Sequence, residues 1–255
     1  MIDDTSEKLG LVLQENTASQ EFLPQIQKNE VHLWCLPLDL NDKQSEIALS
    51  LISDHQKDKY YRRKTSALRC AYLGGRYYLL HLLAAYSSLP VAQVELAYSR
   101  LNKPYLEPNS HAIEFNFTDT FIKQQAIGIY AFGHQQKLGV DVECLDRNAQ
   151  FQRVLERRFS PAEQAYVKAS DAGQRQRFLR IWTRKEAYGK AKGVGINFSM
   201  KELDLFSESH DLAFQCEHNR DWQLLQVHPH SRAIACVVRE SHEPFRCRLF
   251  THFSA

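Results

Sequence analysis

Leu138, Val140 and Val142 alternate with Gly139, Asp141 and Glu143, so a strand over residues 138–144 puts its apolar side chains on one face and two carboxylates on the other. At that spacing the carboxylates stand about 6–7 Å apart, and like charges so close repel unless a cation lies between them. Gly139 beside them leaves room for a bulky ligand. A solvated polar face on an edge hairpin also accounts for this strand, so the pair needs a third group to become a site.

A helix over residues 174–192 supplies one. Trp182, Glu186 and Lys190 recur at i, i+4 and i+8 and form one stripe. Tryptophan marks the packed side, which draws Glu186 and Lys190 toward an interior or cleft. The plain alternative is an exposed glutamate–lysine pair worth a few tenths of a kcal/mol. If Glu186 reaches the strand carboxylates, three acids could hold a hard cation such as Mg²⁺, which also takes phosphate oxygens and water. Lys57, Lys59, Arg62, Arg63 and Lys64, continued by Arg69 and Arg76, form a basic stretch able to meet phosphate or an acidic protein. A solvated helix face is its default reading.

The elements that must carry these groups follow from period and punctuation. Residues 1–25 are polar without a sustained period and read as a flexible leader. Val31–Leu38 reads as a strand that Pro37 confines to an edge or an end. One or two helices fill residues 54–87, with Gly74 and Gly75 as a close packing point or a break. Residues 94–99 form a strand, and the turn-rich joint around Lys103, Pro104 and Pro108 separates an N-terminal half, 26–108, from a C-terminal half, 109–255. Residues 113–118 alternate as a strand, followed by a hairpin of 126–132 and 138–144. Ser160, Pro161 and Glu163 announce a helix through a capping box, and Gly193-Val194-Gly195 ends the helix begun at Gln174. Short strands after Met200 make a meander. The order of elements gives an α+β fold with two similar subdomains.

The chain has 255 residues, 44% hydrophobic and 24% charged, which is enough for a substantial core. Thirty-two Lys and Arg against 30 Asp and Glu leave a net charge of +2, so no global field favours nucleic acid or membrane. The first ten residues are acidic rather than signal-like, and the longest apolar run, Tyr77–Tyr86, is short and interrupted by His81. A cytoplasmic protein is expected, with its six cysteines reduced because no Cys-x-x-Cys pair occurs.

In this order, Lys103-Pro104, Phe115 to Thr120, Gly139 to Glu143 and Trp182 to Ala187 resemble the Sfp-type 4′-phosphopantetheinyl transferases over roughly residues 55–200. The resemblance implies a pseudo-dimer of two α+β subdomains with coenzyme A in the cleft between them. The implied activity moves the phosphopantetheine arm of coenzyme A to a serine of an apo acyl or peptidyl carrier protein and releases 3′,5′-ADP. It makes Asp141, Glu143 and Glu186 Mg²⁺ ligands, and Glu186 also the base that accepts the serine proton. Lys185 and Lys190 would contact phosphate oxygens or the leaving group. Lys103 and Asn116 would bind coenzyme A, with Arg69 or Arg76 at the 3′-phosphate. A tandem pseudo-dimer is expected to act as a monomer.

Two positions depart from the family pattern. Asn102 replaces the glycine before Lys103, and Asp119 stands where the family carries a histidine that contacts coenzyme A phosphates. An anion about 4 Å from a phosphate charge costs on the order of 4 kcal/mol at an effective dielectric near 20 unless a cation compensates. The alternative reading is therefore a catalytically impaired relative that binds carrier proteins or synthases without transfer.

Overall fold

Short polar side chains start three of the helices: Asn41, Ser53 and Ser160 each accept the amide three residues on, and the glutamine or glutamate there reaches back to the cap amide. A computed structural model describes residues 11–13, 17–19, 23, 25–147, 151–194, 200–209, 211–216 and 220–254. In chain order these form β1 (Leu11–Leu13), β2 (Thr17–Ser19), β3 (Glu30–Pro37), α1 (Asp42–Leu51), α2 (Asp54–Tyr61), α3 (Ser66–Ser87), β4 (Leu96–Tyr98) and β5 (Pro104–Leu106). Then come β6 (Ile113–Ile122), β7 (Gln125–His134), β8 (Leu138–Cys144), α4 (Gln152–Arg158), α5 (Pro161–Lys168) and α6 (Gln174–Lys192). The chain closes with β9 (Asp211–Cys216), β10 (Arg220–His230), β11 (Ala233–Glu240), β12 (Arg246–Phe250) and β13 (His252–Ser254).

Two sheets organise these elements in an α+β fold. One has strand order β1-β12-β3-β7-β6 and the other β8-β11-β10-β9. Val31, Leu33, Ile129 and Ala131 of the first pack on Val140, Val142, Ala235 and Val237 of the second, giving one buried layer between the sheets. On the outer side of the first sheet, Trp34, Leu36, Tyr130 and Phe132 meet α3 residues such as Leu79, Leu82 and Leu83. On the outer side of the second, Trp222, Leu224, Cys236 and Val238 meet Ala187, Tyr188 and Ala191 of α6. The layer order is therefore helices, sheet, sheet, helices.

Several expectations change. The hairpin is β6–β7, with Ile122 opposite Gln125, and β8 pairs instead with β11 in the other sheet. The two-residue turn Lys123-Gln124 lacks the usual Gly or Asn, although Lys123 takes φ 56. Residues 135–137 cross between sheets. The joint at 101–109 does not divide the sheets, because β6, β7 and β12, which follow it, share one sheet with β3, which precedes it. Residues 11–13 and 17–19 of the supposed leader are strands, paired in parallel with β12 and β13. Pro37 ends β3 as expected, yet that strand is internal. Gly195 lies outside the described residues. The five described cysteines given a state are free thiols.

Gly74 is a packing point: a Cβ there would lie 2.1 Å from the Leu38 carbonyl oxygen, and α3 runs through unbroken. Gly139 overturns a second expectation. Its missing side chain makes room for α6, since a Cβ would lie 2.1 Å from Ala187 O and 2.3 Å from Ala191 N. The space is filled by protein and not kept for a ligand. Gly139→Ala is expected to lower stability by at least about 1–3 kcal/mol through overpacking. A urea unfolding midpoint equal to the wild type would contradict that contact.

Candidate active site

The edge strands β6 and β8 meet where Asn116 Oδ1 accepts the Val140 amide at 2.9 Å, and the carboxylate cluster lies just beyond this seam. Asp141 and Glu143 are 6% and 7% exposed. They are not a solvated edge, because α6 covers their face of the second sheet. Trp182 Nε1 donates to Glu143 Oε1 at 3.2 Å, and Lys190 Nζ donates to Asp141 Oδ1 at 2.7 Å. The stripe of Trp182, Glu186 and Lys190 thus turns inward, as its spacing predicted, and there it meets the paired acids.

Glu186 lies among them electrostatically. Burial pushes its carboxyl up to about 7, and the charges of Asp141 and Glu143 push the same way while Lys190 opposes them. Asp141 is pushed up to about 6, first by burial, with Lys190 opposing and Glu143 adding. Asp141 Oδ2 and Glu186 Oε1 are both buried without a hydrogen-bond partner. Two orphaned carboxylate oxygens and raised proton affinities describe an acidic cluster short of positive charge.

A divalent cation fits this donor set, since all three groups are hard oxygen ligands. The cluster is not pre-assembled: among the described residues no three His, Cys, Asp or Glu side chains are gathered closely enough to hold a metal as they stand. Lys190 occupies Asp141, and Arg147 Nη1 straddles both oxygens of Glu143 at 2.9 and 2.7 Å. Arg147 escaped the sequence reading because it lies beyond the strand end. A turn, Arg147 N to Cys144 O at 3.1 Å, brings it back.

A cavity of about 820 Å³ opens beside the cluster, lined among others by Leu68, Asp119, Lys123, Arg147 and Arg232. That volume suits a drug-sized or cofactor-sized molecule. Burial raises the Asp119 carboxyl, and Lys190, Arg63 and Arg76 act in the opposite sense. Asp119 is therefore within electrostatic reach of three cations. Arg76 also lies over the Tyr72 and Phe117 rings, at 5.4 and 5.2 Å from their centroids. Arg63 had been read only as part of a basic stretch.

Other candidate residues are engaged in structure. Lys185 is fully buried, donating to the Met200 and Leu203 carbonyls and pairing with Glu163 Oε2 at 2.9 Å, so it does not reach a phosphate. Its neighbour Arg184 likewise donates to Leu205 O and Ser207 O at 2.9 Å each. Asn116 is committed to the Val140 amide. Lys103 Nζ donates to Leu138 O at 3.0 Å and Ala191 O at 3.2 Å, tying the β4–β5 connection to β8 and α6. It lines a different cavity of about 550 Å³ with Glu114, and burial lowers its proton affinity. Arg69 Nη1 donates to the Arg63 carbonyl at 3.1 Å on an exposed surface. No described helix is long and apolar enough to cross a membrane.

Comparison with known proteins adds a family. Residues 137–238 match the family described as the 4′-phosphopantetheinyl transferase superfamily. That span carries Asp141, Glu143, Glu186 and Lys190, whereas Lys103, Asn116 and Asp119 precede it. The chain is 27% identical over 213 residues to the 4′-phosphopantetheinyl transferase HetI of Nostoc sp., covering 82% of this chain and 87% of that one. It is 24% identical over 165 residues to the L-aminoadipate-semialdehyde dehydrogenase-phosphopantetheinyl transferase of Mus musculus, covering 62% and 53%. A phosphopantetheinyl transferase of Thraustochytrium sp. is 24% identical over 143 residues, covering 51% and 48%.

Proposed function

We propose that this chain is a 4′-phosphopantetheinyl transferase, like the proteins it resembles, and uses Mg²⁺ to transfer the phosphopantetheine arm of coenzyme A to a serine of an apo carrier protein, leaving 3′,5′-ADP. The observation that carries this reading is the acidic cluster of Asp141, Glu143 and Glu186 beside a cavity walled by arginines. When bound between those acids, Mg²⁺ would offset charge developing on pyrophosphate oxygens during displacement.

The chain's own groups divide the remaining work. Glu186, buried beside Asp141 and Glu143 with Oε1 lacking a hydrogen-bond partner, is suited to accept the serine hydroxyl proton, a role worth about 10² to 10⁴ in rate. Lys190, which donates to Asp141 and acts electrostatically on Glu186, would be free to donate to the departing phosphate oxygen if a cation held Asp141. The test is a mass gain on apo carrier protein incubated with coenzyme A and Mg²⁺. No gain across acyl and peptidyl carriers would reject the reading. A cytoplasmic monomer remains part of the proposal.

Asp119 motivates the second reading, a relative that docks carrier proteins without transfer. Its setting among Lys190, Arg63 and Arg76 argues against an uncompensated anion in the phosphate path. Asp119→His is accordingly expected to change the transfer rate by less than about tenfold, because Lys190, Arg63 and Arg76 remain to meet the phosphates whichever side chain stands there. An inactive wild type made robustly active by that substitution would instead establish the impaired relative.

A further inference from the structure

We infer that Arg147 serves two anions in turn: Glu143 while the acidic cluster lacks a divalent cation, and a phosphate of the substrate once that cation has taken Glu143. This inference rests on the transferase reading above. Its basis is the position of one guanidinium between two sites. Arg147 Nη1 lies within 2.9 Å of both Glu143 oxygens, so it covers the lone pairs a metal would need. Trp182 Nε1 supplies a further donor to Oε1. A cation ligated by Glu143 must therefore displace Arg147 or share the carboxylate with it at the cost of like-charge repulsion.

The displaced side chain has somewhere to go. Arg147 is 57% exposed against 10% for Glu143, so the arginine can swing while the glutamate is held. The same arginine lines the 820 Å³ cavity. Arg232, the other arginine of that wall, is paired with Asp146 at 2.6 Å. Arg147 is thus the guanidinium that metal binding would release toward an incoming phosphate, and a planar fork suits phosphate oxygens. Metal and coenzyme A binding should then be coupled, each strengthening the other by the same factor.

The test measures binding to the full-length chain without carrier protein, so no transfer occurs. Mg²⁺ and coenzyme A are each titrated calorimetrically, alone and in the presence of the other. For the wild type, each ligand is expected to tighten the other by about tenfold. Arg147→Gln should bind Mg²⁺ alone several-fold more tightly, because its competitor at Glu143 is gone. It should bind coenzyme A with Mg²⁺ about tenfold more weakly, and the coupling should fall toward one. Arg147→Lys, which keeps a charge without the fork, should lie between. A melting temperature near that of the wild type checks the fold of each variant. Arg147→Gln with Mg²⁺ affinity no tighter than wild type, or with undiminished coenzyme A affinity, would overturn the inference alone. A wild type that binds neither ligand would bring down the transferase reading and this inference together.

Discussion

Glu186→Gln is expected to abolish transfer and yet stabilise the metal-free protein at pH 8. In the folded chain the Glu186 carboxyl is pushed up to about 7 from an ordinary 4.5, first by burial and then by Asp141 and Glu143. The folded state therefore holds this proton more tightly than the unfolded state. Stability from this group is fullest below about pH 4.5, falls as pH rises toward 7, and stays low above it. Asp141, pushed up to about 6, adds a loss of the same sign over a lower range. Allowing for the partial exposure of Glu186, removing its charge is worth about 1–2 kcal/mol at pH 8. For a chain of this size that is roughly 2–8 °C in melting temperature.

The gain should shrink to a small fraction at pH 5 and vanish below about pH 4, where the unfolded carboxyl is protonated as well, and Mg²⁺ with coenzyme A should stabilise the wild type more than the variant. Transfer should fall by about 10² to 10⁴ from loss of the base, and further if a metal ligand goes with it. Scanning calorimetry in chelator at both pH values reads the first part; carrier modification reads the second. A variant less stable than wild type at pH 8 would mean that Glu186 is satisfied in the native state.

The acidic cluster was partly legible in the sequence. The i, i+4, i+8 stripe on α6 and the alternation in β8 are local patterns: they put Glu186 on the packed side of its helix and the two acids on one face of their strand, while the meeting of the two was implied only by the family resemblance. The capping box at Ser160 and the αL glycine at Gly193 bounded α5 and α6 for the same reason. What failed was non-local. The pairing of β8 with β11 rather than β7 depends on contacts almost a hundred residues apart. The return of β12 to β3 joins Arg246 to Glu30, near opposite ends of the sequence. Gly139 was assigned to a ligand because a sequence does not show which neighbour fills a glycine's space. The carboxylates looked like a solvated face because the covering helix was not yet docked on that strand.

The basic residues of α6 misled in a different way. The family resemblance put Lys185 at phosphate oxygens or the leaving group and gave Arg184 no role. Yet α6 is buried around most of its circumference, from Phe178 to Ala191, packed on one sheet, on α5 and beneath residues 200–209. Within one short motif, Glu186 points at the acidic cluster while its two predecessors fasten a neighbouring segment. The motif's letters therefore encode both chemistry and the scaffold that aims it.

Lys185→Met is accordingly expected to be a stability variant and not a substrate-binding one. Lys185 and Glu163 are fully buried partners at 2.9 Å, and burial lowers the proton affinity of one and raises that of the other. Glu163 also accepts the Ser160 amide at 2.8 Å and the Leu205 amide at 2.9 Å, so it joins the start of α5 to the segment after α6. Taking away the lysine leaves a buried carboxylate without its cation, which costs about 3–5 kcal/mol. That is a large share of a total stability of about 5–15 kcal/mol, and a fall of roughly 6–20 °C in melting temperature follows. Adding Glu163→Gln to Lys185→Met removes the stranded charge while keeping an acceptor for a backbone amide, so the double variant should recover part of the loss. At a temperature where the single variant is still folded, its KM for coenzyme A should match the wild type. A normal melting temperature with a raised KM would return Lys185 to the phosphate-binding role that the family resemblance implied.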